Sequence, residues 1–298
     1  MLRTLFQLAA RLPLRWLHGV GAALGWLVYM CSPTYARRLR ENLLSSGVCV
    51  PEACNILRRA VVAETGKGVM ELAAFWFASD AAIQRWVVCE TWPDVERARQ
   101  PGQGILFVTP HLGGFEITAQ YIAQHMPMTS LYRPPKLRWL EPLMIAGRSR
   151  WQSRVAPANL RGVRLFLKAL RRGEAVGLLP DQTPGEGEGV WANFFGRPAY
   201  TMTLVTRLQK ATNALLVMMY AERLPRGEGY HLRFEVLPTV DFDETLLNRA
   251  IETVVRRCPA QYLWGYNRYK VPAGAEAPID HAETKTGSSR NRVGELRG

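Results

Sequence analysis

Residues 104–116 read Gly-Ile-Leu-Phe-Val-Thr-Pro-His-Leu-Gly-Gly-Phe-Glu, and this stretch decides the fold. The apolar run 105–109 predicts a buried strand, and it stops at Pro110. His111 follows at once, then two glycines that can turn the chain, then a helical pattern over 114–125. Since active sites of open α/β sheets gather at the carboxyl ends of strands, the stretch predicts a site at this corner.

The side chains at the corner suit acid–base chemistry. A neutral imidazole at His111 can take a proton from a hydroxyl, and a carboxylate at Glu116 can fix its tautomer and stabilise the imidazolium. The amides of Gly113 and Gly114 can support a developing oxyanion. A lone histidine near an acid is more often structural, but the strand–Pro–His–Gly–Gly–Glu context favours a catalytic role.

Outward from this corner, short apolar runs alternate with helical segments. The predicted strands are 86–89, 105–109, 129–132, 175–179, 214–220 and 231–237. The predicted helices are 34–47, 51–79, 114–125, 136–150, 160–172, 203–212 and 243–257. This alternation predicts an α/β fold with a mixed, mostly parallel sheet flanked by helices.

The N-terminal 40 residues contain six arginines and no acid, and an apolar run of 16 residues, Trp16–Cys31, lies among them. As a helix this run spans roughly 24 Å, less than the roughly 30 Å hydrocarbon core. We expect residues 1–33 to be an uncleaved membrane anchor helix, held in or partly through the bilayer. A cleaved signal peptide and a buried helix of a soluble protein are the alternatives. Residues 34–271 then form the main domain, and 272–298, poor in large apolar side chains, a disordered tail.

Composition limits the class of protein. A chain of 298 residues with 48% apolar residues and a net charge of +13 can build a substantial core, and it favours anionic partners. Basic clusters such as Arg37-Arg38-Arg40 and Arg171-Arg172 can face such partners, but the sequence assigns none of them. Five cysteines without a CxxC pair indicate reduced, mostly buried thiols and a cytosol-facing body.

Four later segments accompany His111-x4-Glu116 in order: Gly147-Arg-Ser-Arg150, Gly177-Leu-Leu-Pro-Asp-Gln182, Asn193-Phe-Phe-Gly-Arg-Pro-Ala-Tyr-Thr201, and Pro259-Ala-Gln-Tyr-Leu-Trp264 followed by Asn267–Lys270. Together these segments resemble the lipid A biosynthesis (late or secondary) acyltransferases of Gram-negative bacteria. That family belongs to the glycerolipid and lysophospholipid acyltransferase superfamily. The resemblance extends over residues 1–270.

The resemblance implies transfer of a fatty acyl chain from acyl carrier protein to a hydroxyl of a phosphorylated glucosamine lipid A precursor. It places the protein at the cytoplasmic face of the bacterial inner membrane. It implies His111 as general base, Glu116 as its orienting partner, and Arg148 and Asp181 as a second polar pair. Because a thioester donor is already activated, direct attack needs no covalent enzyme nucleophile. The chemistry calls for no metal, no cofactor beyond the acyl carrier protein co-substrate, and no nucleic acid.

Further residues are candidates for substrate binding, and each has a structural alternative. Arg148 and Asp181 can form a structural salt bridge, and the aromatic residues of 194–201 can be core. The substrate-binding candidates are Gly113, Gly114, Arg150, Phe195, Gly196, Arg197 and Thr201.

Two other functions stay open. The first is acylation of a lysophospholipid from coenzyme A or carrier protein, against which the Gly-Arg-x-Arg and Pro-x-Gln-Tyr-x-Trp elements weigh. The second is a non-catalytic basic protein that binds membranes or nucleic acid, supported only by charge and the N-terminal helix. Signatures of other enzyme classes, namely GxSxG, HExxH and a complete GxGxxG, are absent from the sequence.

Overall fold

A seven-stranded mixed sheet forms the centre of the protein in a computed structural model, which describes residues 2–135 and 137–278. The strands are β1 Val87–Cys89, β2 Ile105–Val108, β3 Met128–Tyr132, β4 Ser153–Pro157, β5 Ala175–Leu178, β6 Gly189–Phe194, β7 Arg197–Met202, β8 Leu215–Arg223 and β9 Tyr230–Val236. The order across the sheet is β1-β9-β8-β2-β5-β3-β4, and β6 and β7 form a separate antiparallel hairpin. All neighbouring pairs in the sheet are parallel except β8 with β9. The mixed, mostly parallel sheet predicted from the sequence is confirmed.

Helices lie on both faces of the sheet. They are α1 Leu2–Ala9, α2 Leu14–Cys31, α3 Pro33–Ser45, α4 Cys54–Phe77, α5 Asp80–Trp86, α6 Trp92–Ala98, α7 Phe115–His125, α8 Glu141–Arg148, α9 Leu160–Arg171, α10 Leu204–Thr212 and α11 Glu244–Arg257. Short 3₁₀ turns cover Arg138–Leu140, Pro225–Gly227 and Pro259–Gln261.

Successive side chains of β2 point to opposite faces of the sheet, which explains why two apolar cores form. Leu106 and Val108 pack into one apolar cluster with α9, α10 and α11. Ile105 and Phe107 point the other way, into a cluster with α6 and α7. Because successive strand residues face opposite sides of a sheet, an uninterrupted apolar run is what a strand covered on both faces requires.

The N-terminal segment differs from the predicted single helix over 1–33. It contains two helices, α1 and α2, and no helix in the described residues has the length and apolarity needed to cross a membrane. One face of α2 packs on α4 at three glycines, where a Cβ on Gly66 would lie 2.0 Å from the carbonyl oxygen of Gly21 and 2.6 Å from the amide nitrogen of Gly25. Only glycines allow two backbones to approach so closely.

Much of the remaining surface of α2 is apolar and exposed. Large side chains there are between 36% and 69% exposed: Trp16, Val20, Leu24, Leu27, Val28 and Met30. We call these six residues the α2 apolar face. An exposed apolar surface of this kind marks an interaction site on a protein.

The prediction that all the cysteines are reduced is wrong. Cys49 and Cys54 form a disulfide, with their Cα atoms 5.3 Å apart. The chain reverses between α3 and α4, and this local turn brings the two thiols together despite the lack of a CxxC spacing. Cys31, Cys89 and Cys258 are free, and only Cys258 is buried. Most of the predicted tail, residues 279–298, lies outside the described residues.

Candidate active site

The corner after β2 is held rigidly by backbone hydrogen bonds. Gly113 has φ +56°, and a Cβ there would lie 2.1 Å from the carbonyl oxygen of Ala221, so the corner requires glycine. The amide of Gly113 donates to the carbonyl of Gln261 at 3.1 Å, and that of Gly114 donates to the carbonyl of Ala221 at 2.9 Å. The segment after β2 is thereby tied to β8 and to the C-terminal segment.

His111, at this corner, pairs with Asp181. The backbone amide of His111 donates to Asp181 Oδ2 at 2.9 Å, and the ring Nδ1–H donates to Oδ1 at 2.8 Å. An ionised carboxylate only accepts, which assigns the proton to Nδ1 and leaves the lone pair on Nε2. The His111 side chain is 21% exposed and that of Asp181 only 3%. The imidazole therefore has one nitrogen fixed by a buried acid and the other free to act as a base.

Glu116, the expected partner of His111, instead pairs with Arg148. Arg148 Nε donates to Glu116 Oε2 at 3.0 Å, and its Nη2 donates to Oε1. The indole of Trp76 also donates to Oε2, at 3.4 Å. The reason lies in the sheet order: β5, which precedes Asp181, is hydrogen-bonded to β2. Asp181 thus reaches the end of β2 directly, whereas Glu116 points from the first turn of α7 toward the end of α8.

Both carboxylates stay ionised although they are buried. Burial alone would raise the pKa of Glu116, but the charge and hydrogen bonds of Arg148 hold it below its ordinary value. Burial acts on Asp181 in the same way, and there His111 lowers the pKa through its charge and its hydrogen bonds. The hydrogen bond from Trp76 and the charge of His111 add smaller contributions to the lowered pKa of Glu116.

A cleft runs beside these pairs. Glu116 and Arg148 line it together with Phe115, Ala119, Gln120, Ser130, Leu131, Ser153 and Leu179. The ring of Phe115 lies 5.1 Å from the imidazole of His111, so the cleft begins next to the base. Its walls are mainly apolar, with the Glu116–Arg148 ion pair at one side. Walls of this kind favour contact with methylene groups over polar ones.

Sequence reasoning missed two contributors to the site. The side-chain nitrogen of Gln182 lies 3.3 Å from His111 Nε2, at the position where a substrate hydroxyl would approach. Tyr262 is buried against Asp181, and burial together with that negative charge raises the pKa of its phenol well above the ordinary value. Both lie in segments quoted for their motifs, but only the three-dimensional structure shows that Gln182 lies beside His111 and Tyr262 beside Asp181.

The predicted oxyanion role of the Gly113 and Gly114 amides does not fit the structure. Both N–H groups already donate to backbone carbonyls, so neither is free for a substrate oxygen. Arg150 is likewise engaged elsewhere, donating to the carbonyl of Phe75 and to the carboxylate of Asp80.

The segment 195–201 forms the turn and most of the second strand of the β6–β7 hairpin and contributes no residue to the lining of the cleft. Phe195 packs on Trp264, with ring centroids 5.5 Å apart, and Gly196 makes the turn at φ +73°. Arg197 stacks over Tyr269 at 3.9 Å. Thr201 is fully buried and accepts from Asn248 and from Arg268.

Fold and site together are those of an α/β enzyme with a His–Asp pair at the carboxyl edge of its sheet. Comparison with known protein families identifies the family: residues 3–271 match the family described as "Bacterial lipid A biosynthesis acyltransferase". The chain belongs to this family and is an acyltransferase, as the sequence resemblance predicted.

Relatives of known name are similar over most of their length. The lipid A biosynthesis lauroyltransferase of Escherichia coli (strain K12) is 28% identical over 277 residues, 88% of each chain. The lipid A biosynthesis palmitoleoyltransferase of the same organism is 29% identical over 264 residues, 84% of each chain. A lipid A biosynthesis acyltransferase of Haemophilus influenzae is 26% identical over 286 residues, 90% of this chain and 88% of the relative.

Proposed function

We propose that this protein transfers a fatty acyl chain from an acyl carrier protein thioester to a hydroxyl of a phosphorylated glucosamine lipid A precursor. The observation that carries the proposal is the imidazole of His111, which Asp181 holds through Nδ1 so that the lone pair is on Nε2, and which lies against Phe115 at one end of an apolar cleft. The names of the relatives, lauroyl and palmitoleoyl transferases of lipid A biosynthesis, support a fatty acyl chain as the transferred group and support the acceptor class.

The proton follows a short path in this mechanism. The acceptor hydroxyl displaces the amide of Gln182 and donates its proton to His111 Nε2 while its oxygen attacks the thioester carbonyl. Asp181 stabilises the imidazolium that forms. When the tetrahedral intermediate collapses, the C–S bond breaks, the imidazolium returns the proton to the leaving thiolate, and an ester and a thiol result.

Arg148 supplies positive charge at the same place. Glu116 holds the guanidinium through two hydrogen bonds, and the Arg148 side chain stays 25% exposed at the cleft. A cation fixed in this way stabilises the oxyanion of the tetrahedral intermediate without having to reorganise. Glu116 and Arg148 thus act as one unit, with Glu116 as the positioning residue.

The α2 apolar face supports a location of the enzyme at a membrane surface. Its six side chains are exposed, so water would otherwise contact them. Arg11 and Arg15 near the N-terminal end, and Arg37 and Arg40 beyond the C-terminal end, are exposed and can contact anionic headgroups. We therefore propose that α2 lies in the interface of the cytoplasmic leaflet of the inner membrane, where a lipid acceptor reaches the cleft without leaving the bilayer.

The direct test is acylation by the purified protein in detergent or vesicles, with an acyl carrier protein thioester as donor and an under-acylated lipid A precursor as acceptor. Mass spectrometry should show the acceptor gaining one acyl chain. We expect His111→Ala to abolish the gain in a protein that keeps its circular dichroism spectrum and melting temperature. Arg150→Ala, which changes an arginine that bonds outside the cleft, should retain activity and serves as the control.

The acceptor class has its own control. The same assay with a lysophospholipid in place of the lipid A precursor separates the two acyltransferase functions. Activity on the lysophospholipid alone would overturn the proposed acceptor, and undiminished activity of folded His111→Ala would overturn the proposed base.

A further inference from the structure

The exposed face of α9 carries a row of cations. Arg161, Arg164, Lys168 and Arg171 follow at spacings of three, four and three residues, which places them on one side of the helix. All four side chains are exposed, and the helix contains no acid. We call these four residues the α9 cationic row.

No internal ion pair accounts for this row. In the part of the chain that the structure describes, none of the four forms a salt bridge, and the neighbouring Glu174 is already paired with Arg172. Arg154 on β4 adds a fifth positive charge nearby, since its charge helps to lower the pKa of Glu174 after the larger effects of Arg172 and burial. Like charges along one helix face repel each other, so the row costs folding free energy. Leu160, 78% exposed, adds an apolar side chain next to Arg161.

The row starts beside the active-site cleft. Gly162, in the first turn of α9, is so close to β3 that a Cβ there would lie 3.0 Å from Leu131 Cδ2. Leu131 lines the cleft together with Phe115, whose ring contacts His111. A ligand held along α9 can therefore place an extended arm over the first turn of the helix and into the cleft.

The α9 cationic row and the α2 apolar face lie on opposite sides of the site. α9 packs on β3, β4 and β5, whereas α2 contacts the 3₁₀ turn that follows β8. In the sheet order, β2, which carries His111, lies between β8 and β5. A membrane bound to the α2 apolar face thus approaches from the β8 side and leaves α9 to a partner in solution.

We infer that the α9 cationic row is the docking surface for the acidic helix surface of the acyl carrier protein that delivers the donor thioester. The inference rests on the proposed use of a carrier-protein donor. Electrostatic complementarity of this kind raises the association rate and fixes orientation, so its loss raises KM more than it lowers kcat.

The test compares two donors in Arg161→Glu/Arg164→Glu. One donor is the acyl carrier protein thioester, and the other is the thioester of the same fatty acid with pantetheine, which lacks the protein. We expect KM for the carrier-protein donor to rise at least tenfold, with the kinetics of the pantetheine donor unchanged. Arg249→Glu, an equal charge change on α11 outside the row, should leave both donors unaffected. A carrier protein with lysines in place of its acidic helix residues should lower the KM of the double variant part of the way back toward the wild-type value.

Each other outcome contradicts the inference in a distinct way. Unchanged KM for the carrier-protein donor removes the docking surface but leaves acyl transfer intact. An equal loss of activity with both donors shows that the two arginines support the active site itself. Lost binding to phosphatidylglycerol vesicles, with the carrier-protein KM unchanged, assigns the row to anionic lipid. If the unaltered enzyme uses no carrier-protein thioester at all, the proposed function fails, and the docking inference fails with it.

Discussion

Asp181 accepts two hydrogen bonds from His111, one from the backbone amide and one from the ring. Asp181→Asn keeps the size of the side chain but presents an amide that can reverse the tautomer of the imidazole and cannot stabilise its charged form. We expect kcat to fall by roughly 10²–10⁴-fold with little change in KM for either substrate. Steady-state kinetics at saturating donor measure this.

Glu116→Gln provides the comparison for this prediction. Because Glu116 acts on the chemistry only through Arg148, Glu116→Gln should lower kcat less than Asp181→Asn does. A larger effect of Glu116→Gln than of Asp181→Asn would restore Glu116 as the direct partner of the base and contradict the geometry.

At the residue scale, the sequence singled out four polar residues that the structure brings together as two pairs, but it did not predict the pairing. Glu116 lies five positions after His111 and Asp181 seventy positions after it, so local spacing favours the wrong pair. The correct pair depends on the hydrogen bonding of β2 to β5, which no pattern within either strand encodes. The glycine amides were misassigned for the same reason, since their acceptors come from Gln261 and Ala221.

Two glycines in α2 and α4 have opposite surroundings, which makes the packing of the two helices testable. A Cβ on Gly66 would overlap the backbone of α2, whereas a Cβ on Gly19 would meet nothing within 4 Å. We expect Gly66→Ala to destabilise the protein by about 1–3 kcal/mol, although alanine is the better helix former. Gly19→Ala should instead stabilise it by up to about 1 kcal/mol. Urea unfolding measures both, and equal effects of the two substitutions would contradict the close helix contact.

A buried charge network joins α2, α4, β8 and β9. Glu71 accepts from Arg223 Nη2, from the Tyr230 hydroxyl and from His18 Nε2, each at 2.7 Å. Arg223 also bonds to Glu64 at 2.5 Å, and Glu64 in turn pairs with Lys67. Burial alone would raise the pKa of Glu71, but Arg223 and then His18 lower it from 4.5 to about 2.

This network predicts how stability depends on pH. A carboxylate whose pKa is lowered by folding stabilises the protein above the unfolded pKa, and this stabilisation is lost as pH falls from about 4.5 to about 2. The loss is on the order of 3 kcal/mol. Urea unfolding at pH 7 and pH 3 should show Glu71→Gln less stable at pH 7, because Arg223 is left buried without its partner. Between pH 7 and pH 3, the free energy of unfolding should fall less for the variant than for the wild-type protein. An equal loss in both proteins would show that other carboxylates carry the whole effect.

Elements with strong apolar patterns were predicted correctly, and weakly patterned ones were not. Strands β2, β5 and β8 are continuous apolar runs, as central strands require. β4 reads Ser-Arg-Val-Ala-Pro and lies at the sheet edge, where one side meets solvent, so its pattern is short and polar. The β6–β7 hairpin was missed because its turn, Phe195-Gly196, contains a non-glycine residue at φ +47°, which composition does not reveal.

For the molecule as a whole, the α2 apolar face predicts binding to a membrane without a spanning helix. Changing Val20, Leu24 and Leu27 to serine should reduce co-sedimentation with anionic vesicles by at least fivefold, because three large apolar side chains no longer enter the interface. The melting temperature should change little, since these residues lie away from the contact with α4. Unchanged vesicle binding would show that α2 is covered by something other than lipid.

The placement of β2 in the middle of the sheet also affects how the enzyme matures. His111 follows β2, and Asp181 follows β5. Strands β3 and β4 and the helices that connect them lie between these two residues along the chain. Pairings between distant segments form late during folding, because loop closure precedes any stabilising contact. A chain in which β2 and β5 are not yet paired therefore lacks the hydrogen bonds between His111 and Asp181 on which acid–base chemistry at this corner depends.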